Sequence, residues 1–120
     1  MLHFKRLDHI QICIPIGKEQ EARNFYAGII GLTEIPKPKE LLVNGGLWFE
    51  IADIQLHIGS ENETNTSKRH PAFEVENLND AKSYLIANGV MIKEDIQIEG
   101  CKRFSFIDPF GNRIELLEKV

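Results

Sequence analysis

The sequence predicts an α+β fold made of paired βαβββ modules, and three observations lead to this prediction. Apolar residues alternate with polar ones along several short segments, as they do in half-buried strands. In two longer segments apolar residues recur every three or four positions, as they do on amphipathic helices. The order of these segments then repeats after about 60 residues, which is typical of two related units that complete a core together.

The first predicted module covers residues 7–58. It opens on a segment in which Ile10, Ile12 and Ile14 share one face, and this alternation predicts a half-buried strand. The apolar period then changes to that of a helix, which Gly31 ends. The predicted elements are a strand at 7–14, a helix at 19–30, and strands at 32–35, 47–52 and 54–58.

The second predicted module covers residues 69–118 and follows a polar linker. Residues 59–69 contain no apolar side chain, which is why we predict a linker there. Gly89 is placed to cap the C-terminus of the second helix. The predicted elements are a strand at 70–75, a helix at 78–88, and strands at 90–94, 102–107 and 113–118. Residues 1–120 are therefore interpreted as a single domain of two modules.

Composition and charge exclude several classes of protein. The net charge of −4 and the pI near 5.6 provide no basic surface for nucleic acid. No apolar run is long enough to span a membrane, and the first residues lack the apolar core of a signal peptide. Cys13 and Cys101 form no Cys-x-x-Cys pattern, which favours reduced thiols. We therefore expect a cytoplasmic protein.

The repeat brings metal-ligating types of side chain to corresponding places. His9 and His70 lie on the opening strands, 61 positions apart, and Gln55 and Glu115 lie on the closing strands, 60 positions apart. If the apolar faces pack under the helices, these four side chains and His57 point to the other face of the sheet. There, imidazole and carboxylate groups must be paired, hydrated or bound to metal. A carboxylate on a strand such as Glu115 is also often simply exposed to solvent.

Four motifs resemble the vicinal-oxygen-chelate superfamily, which includes glyoxalase I, bleomycin-resistance proteins, fosfomycin thiol transferases and extradiol dioxygenases. They occur in the family's order and span nearly the whole chain. The motifs are Leu7-Asp8-His9-Ile10, Phe25-Tyr26 followed by Ile30-Gly31-Leu32, His70-Pro71-Ala72-Phe73, and Asp108-Pro109-Phe110-Gly111-Asn112 with Ile114-Glu115-Leu116. The resemblance implies that the paired modules form an open, curled mixed sheet, the glyoxalase-like barrel.

The resemblance also implies one divalent metal per site, bound by His9, His70 and Glu115. Two histidines and a carboxylate suit Ni, Zn, Mn, Co or Fe. The repeat favours Gln55 as the fourth ligand, whereas His57 is the better ligand by its chemistry. The sequence leaves this choice open, and His57 is equally compatible with a role as a base or as a residue on the rim.

The implied function is that of a metal-dependent lyase or isomerase, similar to lactoylglutathione lyase, which acts on a small oxygenated substrate. Glu115 and His57 are the predicted catalytic residues. Glyoxalases of the family carry Glu where this chain has Gln55, and this difference weakens the case for a glutathione-type isomerase. The alternatives are a metal-free small-molecule or antibiotic binder like the bleomycin-resistance proteins, a thiol transferase, and an extradiol-type dioxygenase. We expect a small-molecule substrate, a homodimer, and neither nucleic-acid nor membrane partners.

Overall fold

The computed structural model describes residues 1–62 and 67–120 and shows a mixed α+β protein. The chain divides into two compact units, Met1–Thr64 and Asn65–Val120. Each unit contains one four-stranded mixed sheet, which confirms the predicted fold class. That the two modules make a single domain stays a prediction. In the described part of the chain, no helix is long and apolar enough to cross a membrane.

The first unit has the predicted βαβββ order, with a short additional helix. Its elements are β1 (His9–Pro15), α1 (Glu19–Arg23), a π-helix (Asn24–Ile29), β2 (Thr33–Ile35), a 3₁₀ helix (Lys39–Asn44), β3 (Leu47–Ile51) and β4 (Ile54–Glu61). The strands lie in the order β1-β4-β3-β2. The β1–β4 pair is parallel and the other two pairs are antiparallel.

The second unit repeats this arrangement. Its elements are β5 (Ala72–Glu74), α2 (Leu78–Ala87), β6 (Met91–Glu94), β7 (Cys101–Ile107) and β8 (Arg113–Lys119). The strand order is β5-β8-β7-β6, and only the β5–β8 pair is parallel. In both sheets the opening strand therefore lies beside the closing strand, so residues of these two strands are direct neighbours.

The core of the first unit forms where the helical segment packs on the apolar face of its sheet. Ile14 and Phe49 are fully buried, as the alternation along their strands requires. The ring of Tyr26, from the π-helix, lies 6.2 Å from the ring of Phe49 and 4.9 Å from that of Phe25. Packing on one face leaves the opposite face of β1, β3 and β4 for polar side chains.

The core of the second unit includes Phe104, Phe106, Leu78 and Leu85, all of which are buried as predicted. Tyr84, which recurs at helical spacing with Leu78 and Leu85, is 50% exposed, so the buried stripe on α2 is narrower than its apolar residues suggest. The Asn77 side chain accepts a hydrogen bond from the backbone N–H of Asp80 and caps the N-terminus of α2. Gly89 has a φ of 74° just after the helix, as its predicted capping role requires.

Several boundaries differ from the prediction. Strand β4 continues through Glu61, because Gly59 and Ser60 still pair with β1; the predicted linker at 59–69 therefore begins too early. Residues 63–66 of that linker lie outside the described residues. The predicted loop at 36–46 contains the 3₁₀ helix, and the predicted helix at 19–30 changes from α to π at Asn24.

Two opening strands are also shorter than predicted. Leu7 precedes β1 and is exposed, and His70 precedes β5 by two residues. Cys101, which lies just outside the strand predicted at 102–107, is the first residue of β7. Propensity patterns define the middle of a strand better than its ends, because hydrogen bonding to a neighbour decides where pairing stops.

Candidate functional site

In the first unit, His9 begins β1 and its ring is oriented by the preceding residue. The His9 Nδ1 lies 2.8 Å from Asp8 Oδ2, and this hydrogen bond is the main reason that the pKa of Asp8 is lowered. An ionised carboxylate only accepts hydrogen bonds, so the ring hydrogen is assigned to Nδ1. The Nε2 of His9 then carries the lone pair, which is the form that a metal ion binds.

His57 lies between two other rings on the polar face of the same sheet. Its ring stacks on Trp48 at 3.8 Å between centroids and on His9 at 4.0 Å. The pairing of the strands explains the first contact, since Trp48 and His57 are directly opposite each other on β3 and β4. Burial, chiefly, and the neighbouring His9 lower the pKa of His57, so the ring favours its neutral form.

Gln55 and His57 contact each other on this face. The Nε2–H of His57 donates to Oε1 of Gln55 at 2.9 Å. Gln55 is also directly opposite His9 in the β1–β4 register. The two predicted candidates for the fourth metal ligand are therefore hydrogen-bonded to each other, and both are neighbours of His9.

A cavity of about 540 Å³ opens over these side chains. Its wall includes the stacked rings of His9, His57 and Trp48, together with the amide of Gln11 and the ammonium group of Lys37. The ammonium group of Lys37 donates to the carbonyl of Gly45. Gly59 leaves room for Gln11, because a Cβ at this glycine would lie 2.6 Å from Gln11 Nε2. The volume and the mixed lining are those of a small-molecule pocket.

In the second unit, His70 and Glu115 are in contact. The His70 Nδ1 lies 2.7 Å from the carbonyl oxygen of Lys68, which only accepts, so the hydrogen is assigned to Nδ1. Its Nε2 points at Glu115 Oε1, 3.2 Å away. Two lone pairs at this distance repel each other unless a proton or another cation lies between them.

Glu115 is buried, at 6% exposure, and two guanidinium groups compensate its charge. Arg103 Nη1 donates to Glu115 Oε1 at 3.1 Å, and Arg113 Nη2 lies 3.8 Å from the same oxygen. Arg103 also holds the β6–β7 loop, because its Nε donates to the carbonyl of Ile96. Glu115 is therefore not the solvent-facing strand carboxylate that we considered as the alternative.

Asp95 completes a network of charges beside Glu115. Ser105 Oγ donates to its carboxylate at 2.6 Å and Arg113 Nη2 at 3.0 Å. Burial acts to raise the pKa of Asp95, but the hydrogen bonds from Ser105 and Lys93 and the charge of Arg113 outweigh it, so the pKa is lowered. Arg103 and Arg113 are thus both paired with carboxylates within their own unit.

The register differs between the two units in one respect that the repeat did not predict. Glu115 lies opposite Ala72, two residues beyond His70, whereas Gln55 lies opposite His9 itself. Counted from the histidines, the residue of the first unit that corresponds to Glu115 is therefore His57. Sequence spacing alone aligns Gln55 with Glu115, because it ignores how far each opening strand is shifted along its partner.

The candidate metal donors occur as one pair in each unit. His9 and His70 both have Nδ1 hydrogen-bonded, which leaves the lone pair on Nε2, the arrangement usual for histidines that bind metal. The contact of His70 Nε2 with Glu115 also requires a cation or a proton, so the donors fit a divalent ion. Within residues 1–62 and 67–120, no group of three or more His, Cys, Asp or Glu side chains is close enough together to hold one.

Several residues that shape the site were missed by sequence reasoning. Asp8 lies beside His9 within the Leu7-Asp8-His9-Ile10 motif, and this adjacency was the signal for its role. Arg103 comes from β7 and Asp95 from the preceding loop, and only tertiary structure brings Arg103 to Glu115 and Asp95 to Arg113. Cys13 is half-buried on the polar face, and burial raises the pKa of its thiol, so it is not an activated nucleophile.

Comparisons with known proteins agree with the fold. The model of the Glyoxalase/Bleomycin resistance protein/Dioxygenase superfamily matches residues 6–116. A Bacillus anthracis protein assigned to the glyoxalase family is 43% identical, with a TM-score of 0.93 over 100% of this chain and 99% of that one. Among curated proteins, none matches this chain.

Two more distant structures show the same fold. Lactoylglutathione lyase from Agrobacterium tumefaciens is 15% identical, with a TM-score of 0.75 over 94% of this chain and 92% of that chain. The fosfomycin resistance protein FosX from Listeria monocytogenes is 20% identical, with a TM-score of 0.76 over 98% and 96%. At these identities the likeness concerns the fold alone.

Proposed function

Because the chain belongs to the Glyoxalase/Bleomycin resistance protein/Dioxygenase superfamily, we propose that it is a metal-dependent lyase or isomerase of the glyoxalase type. The proposed substrate is a small oxygenated molecule. The observation that carries this proposal is the pair formed by His70 Nε2 and Glu115 Oε1, 3.2 Å apart, with the ring hydrogen of His70 already used at Nδ1. A divalent ion would satisfy both atoms.

The proposed ligands of the ion are His9, His70 and Glu115, with Gln55 as the fourth. When bound, the ion acts as a Lewis acid that polarises the oxygens of the substrate. Gln55 Oε1 accepts a hydrogen bond from His57 and retains a second lone pair, which is available to the ion. This ligand set suits Ni, Zn, Mn, Co or Fe, all of which accept imidazole and carboxylate ligands.

Glu115 is the proposed base. Its contacts with other described residues all use Oε1, so Oε2 is available to take a proton from a substrate carbon. Arg103 and Arg113 hold the carboxylate in place and offset its charge. A buried base held on a strand meets the substrate in a defined orientation, which is what proton transfer requires.

The first experiment measures the metal content of tag-free protein after incubation with Ni²⁺, Zn²⁺, Mn²⁺ or Fe²⁺. We expect close to one ion per chain in the wild type and none in His70→Ala. Hemithioacetals, epoxides and catechols are then tested in that order, and Glu115→Gln is expected to bind the ion but lose turnover. A wild type that takes up no ion under any condition would overturn the enzymatic proposal.

The second candidate function is a metal-free small-molecule binder. The cavity of about 540 Å³ supports it, since Trp48, Leu41 and Lys37 offer apolar and charged contacts without any metal. Ligand-induced quenching of Trp48 emission in metal-free protein would favour this function.

The proposed homodimer, which would be cytoplasmic, is tested by sedimentation, with twice the 13.7 kDa mass of one chain as the expected result.

A further inference from the structure

His57 contacts both proposed metal ligands of the first unit. Its ring lies 4.0 Å from the ring of His9, and its Nε2–H donates to Gln55 Oε1 at 2.9 Å. The two ligands come from different strands, β1 and β4, so His57 connects them. We infer that His57 is a positioning residue that orients His9 and Gln55 for the metal, and that it is neither a ligand nor the base. This inference rests on the proposed function.

The ring stack argues against His57 and His9 binding the same ion. An imidazole nitrogen binds metal in the plane of its ring, at about 2.0–2.1 Å. The planes of His9 and His57 are inclined by only 19° with their centroids 4.0 Å apart. An ion in the plane of one ring therefore lies well out of the plane of the other. Stacked in this way, His57 supports the His9 ring but does not share its metal.

The hydrogen bond to Gln55 argues for the same role. A glutamine amide rotates freely unless a partner selects one orientation. The donor at His57 Nε2 selects the orientation in which Gln55 Oε1, and not the amide nitrogen, faces His57. Because His57 is only 6% exposed, the ring has little access to a substrate proton.

Trp48 supports His57 from the side opposite to His9. Its indole lies 3.8 Å from the imidazole, and the two planes are inclined by only 3°. The indole, the imidazole and the His9 ring therefore form a continuous stack that crosses β3, β4 and β1. Such a stack restricts each ring to one rotamer, and this preorganises His9 before any ion binds.

The registers of the β1–β4 and β5–β8 pairs support a competing interpretation of the role of His57. Counted from the histidines, His57 corresponds to Glu115, which would make His57 the fourth ligand and Gln55 its support. The two interpretations exchange the roles of His57 and Gln55, so that one is a ligand of the ion and the other orients that ligand. The two roles are distinguished by what happens to the coordination sphere when the imidazole is removed.

The experiment uses Co²⁺ binding, followed by calorimetry and by the visible absorption bands of the ion. His57→Phe keeps a ring in the stack but removes the donor to Gln55, and His57→Gln keeps a donor but removes the ring. We expect each variant to bind one Co²⁺ with about 10–100-fold weaker affinity, the usual loss when a group that orients a ligand is removed. We expect the absorption bands to keep their wild-type positions, because no ligand is lost, and to shift in Gln55→Ala.

Each other outcome overturns a specific statement. Wild-type Co²⁺ affinity in both His57 variants overturns the positioning role and leaves the proposed function intact. Shifted bands in His57→Phe identify His57 as a ligand and overturn the inference in that way. A wild type that binds no Co²⁺ overturns the proposed function and the inference with it. If His57→Phe does not fold, His57→Gln decides, with His3→Phe as the control for replacing a histidine outside the site.

The emission of Trp48 offers a second readout, because it is the only tryptophan in the chain. In metal-free protein the emission should change in His57→Gln, which lacks the stacked ring, more than in His57→Phe. Equal emission in the wild type and His57→Gln would show that the stack is absent in solution, which overturns its part in positioning His9.

Discussion

The hydrogen bonds made by Nδ1 of His9 and His70 decide which nitrogen of each ring is available. Asp8 accepts in one case and the carbonyl of Lys68 in the other, so a side chain and a backbone group give the same result. Proteins commonly orient metal-binding histidines through the second nitrogen in this way. The orientation of the two histidines therefore depends on two acceptors, Asp8 and the carbonyl of Lys68, that are not themselves proposed ligands.

Replacing the acceptor of His9 tests this arrangement. Asp8→Asn removes the negative charge that holds the hydrogen at Nδ1, so we expect about 10–100-fold weaker Co²⁺ affinity by calorimetry. Folding should be unaffected, because Asp8 is exposed. Asp53→Asn, at another exposed aspartate of the first unit, is the control. Equal affinities in wild type and Asp8→Asn would contradict a role for Asp8.

Asp95 makes the stability of the protein depend on pH. Its pKa is lowered from 3.8 in the folded chain, so the unfolded chain binds more protons at acid pH. The stabilisation is therefore present above the unfolded value and is lost as pH falls through the lower, folded value. We expect Asp95→Asn to lower the free energy of unfolding by about 1–3 kcal/mol at pH 7 and by less at the acid end.

Urea unfolding between pH 2.5 and 7 measures this effect, and Glu99→Gln, at an exposed carboxylate of the same loop, is the control. A pH-independent difference between Asp95→Asn and the wild type would show that the loss comes from packing and not from the charge.

Among the elements of the first unit, two glycines have nearly the same positive φ but different surroundings. Gly46, just before β3, has a φ of 85°, and a Cβ there would overlap the carbonyl oxygen of Ile58 on β4. Gly17, after β1, has nearly the same φ of 86° but has open space around it. The two glycines therefore separate the cost of the backbone conformation from the cost of the steric overlap.

Alanine at each position tests this difference. Gly17→Ala should lower the free energy of unfolding by about 1 kcal/mol, the cost of a positive φ alone. Gly46→Ala should cost about 1–3 kcal/mol more, because β4 must move away from the added carbon. Chemical denaturation measures both, and equal losses would show that the β3–β4 approach is looser than described.

At the scale of the whole molecule, the proposed ligands are divided between the two units, with His9 and Gln55 in one and His70 and Glu115 in the other. Metal binding should therefore depend on both units being folded. An ion that binds only the folded chain stabilises it in proportion to its occupancy. The proposal thus connects the fold of each unit to the chemistry of the site.

Calorimetric unfolding with and without Co²⁺ tests this connection. We expect a gain of about 2.7 kcal/mol at a free Co²⁺ concentration one hundred times the dissociation constant. The gain should disappear both in His9→Ala and in His70→Ala, and should persist in His3→Ala. A gain that survives either of the first two substitutions would place the ion within one unit.

Hydrophobic periodicity was enough to predict the fold class, the order of elements and most of the core, because it records which face of each element is buried. It also singled out His9, His57, His70, Gln55 and Glu115 as candidates by residue type and spacing. Three features appear only in the folded chain: the two-residue difference in register, the stacking of His57 between Trp48 and His9, and the pairing of Glu115 with Arg103. These contacts join residues that are far apart in the chain, so no local pattern encodes their distances or orientations.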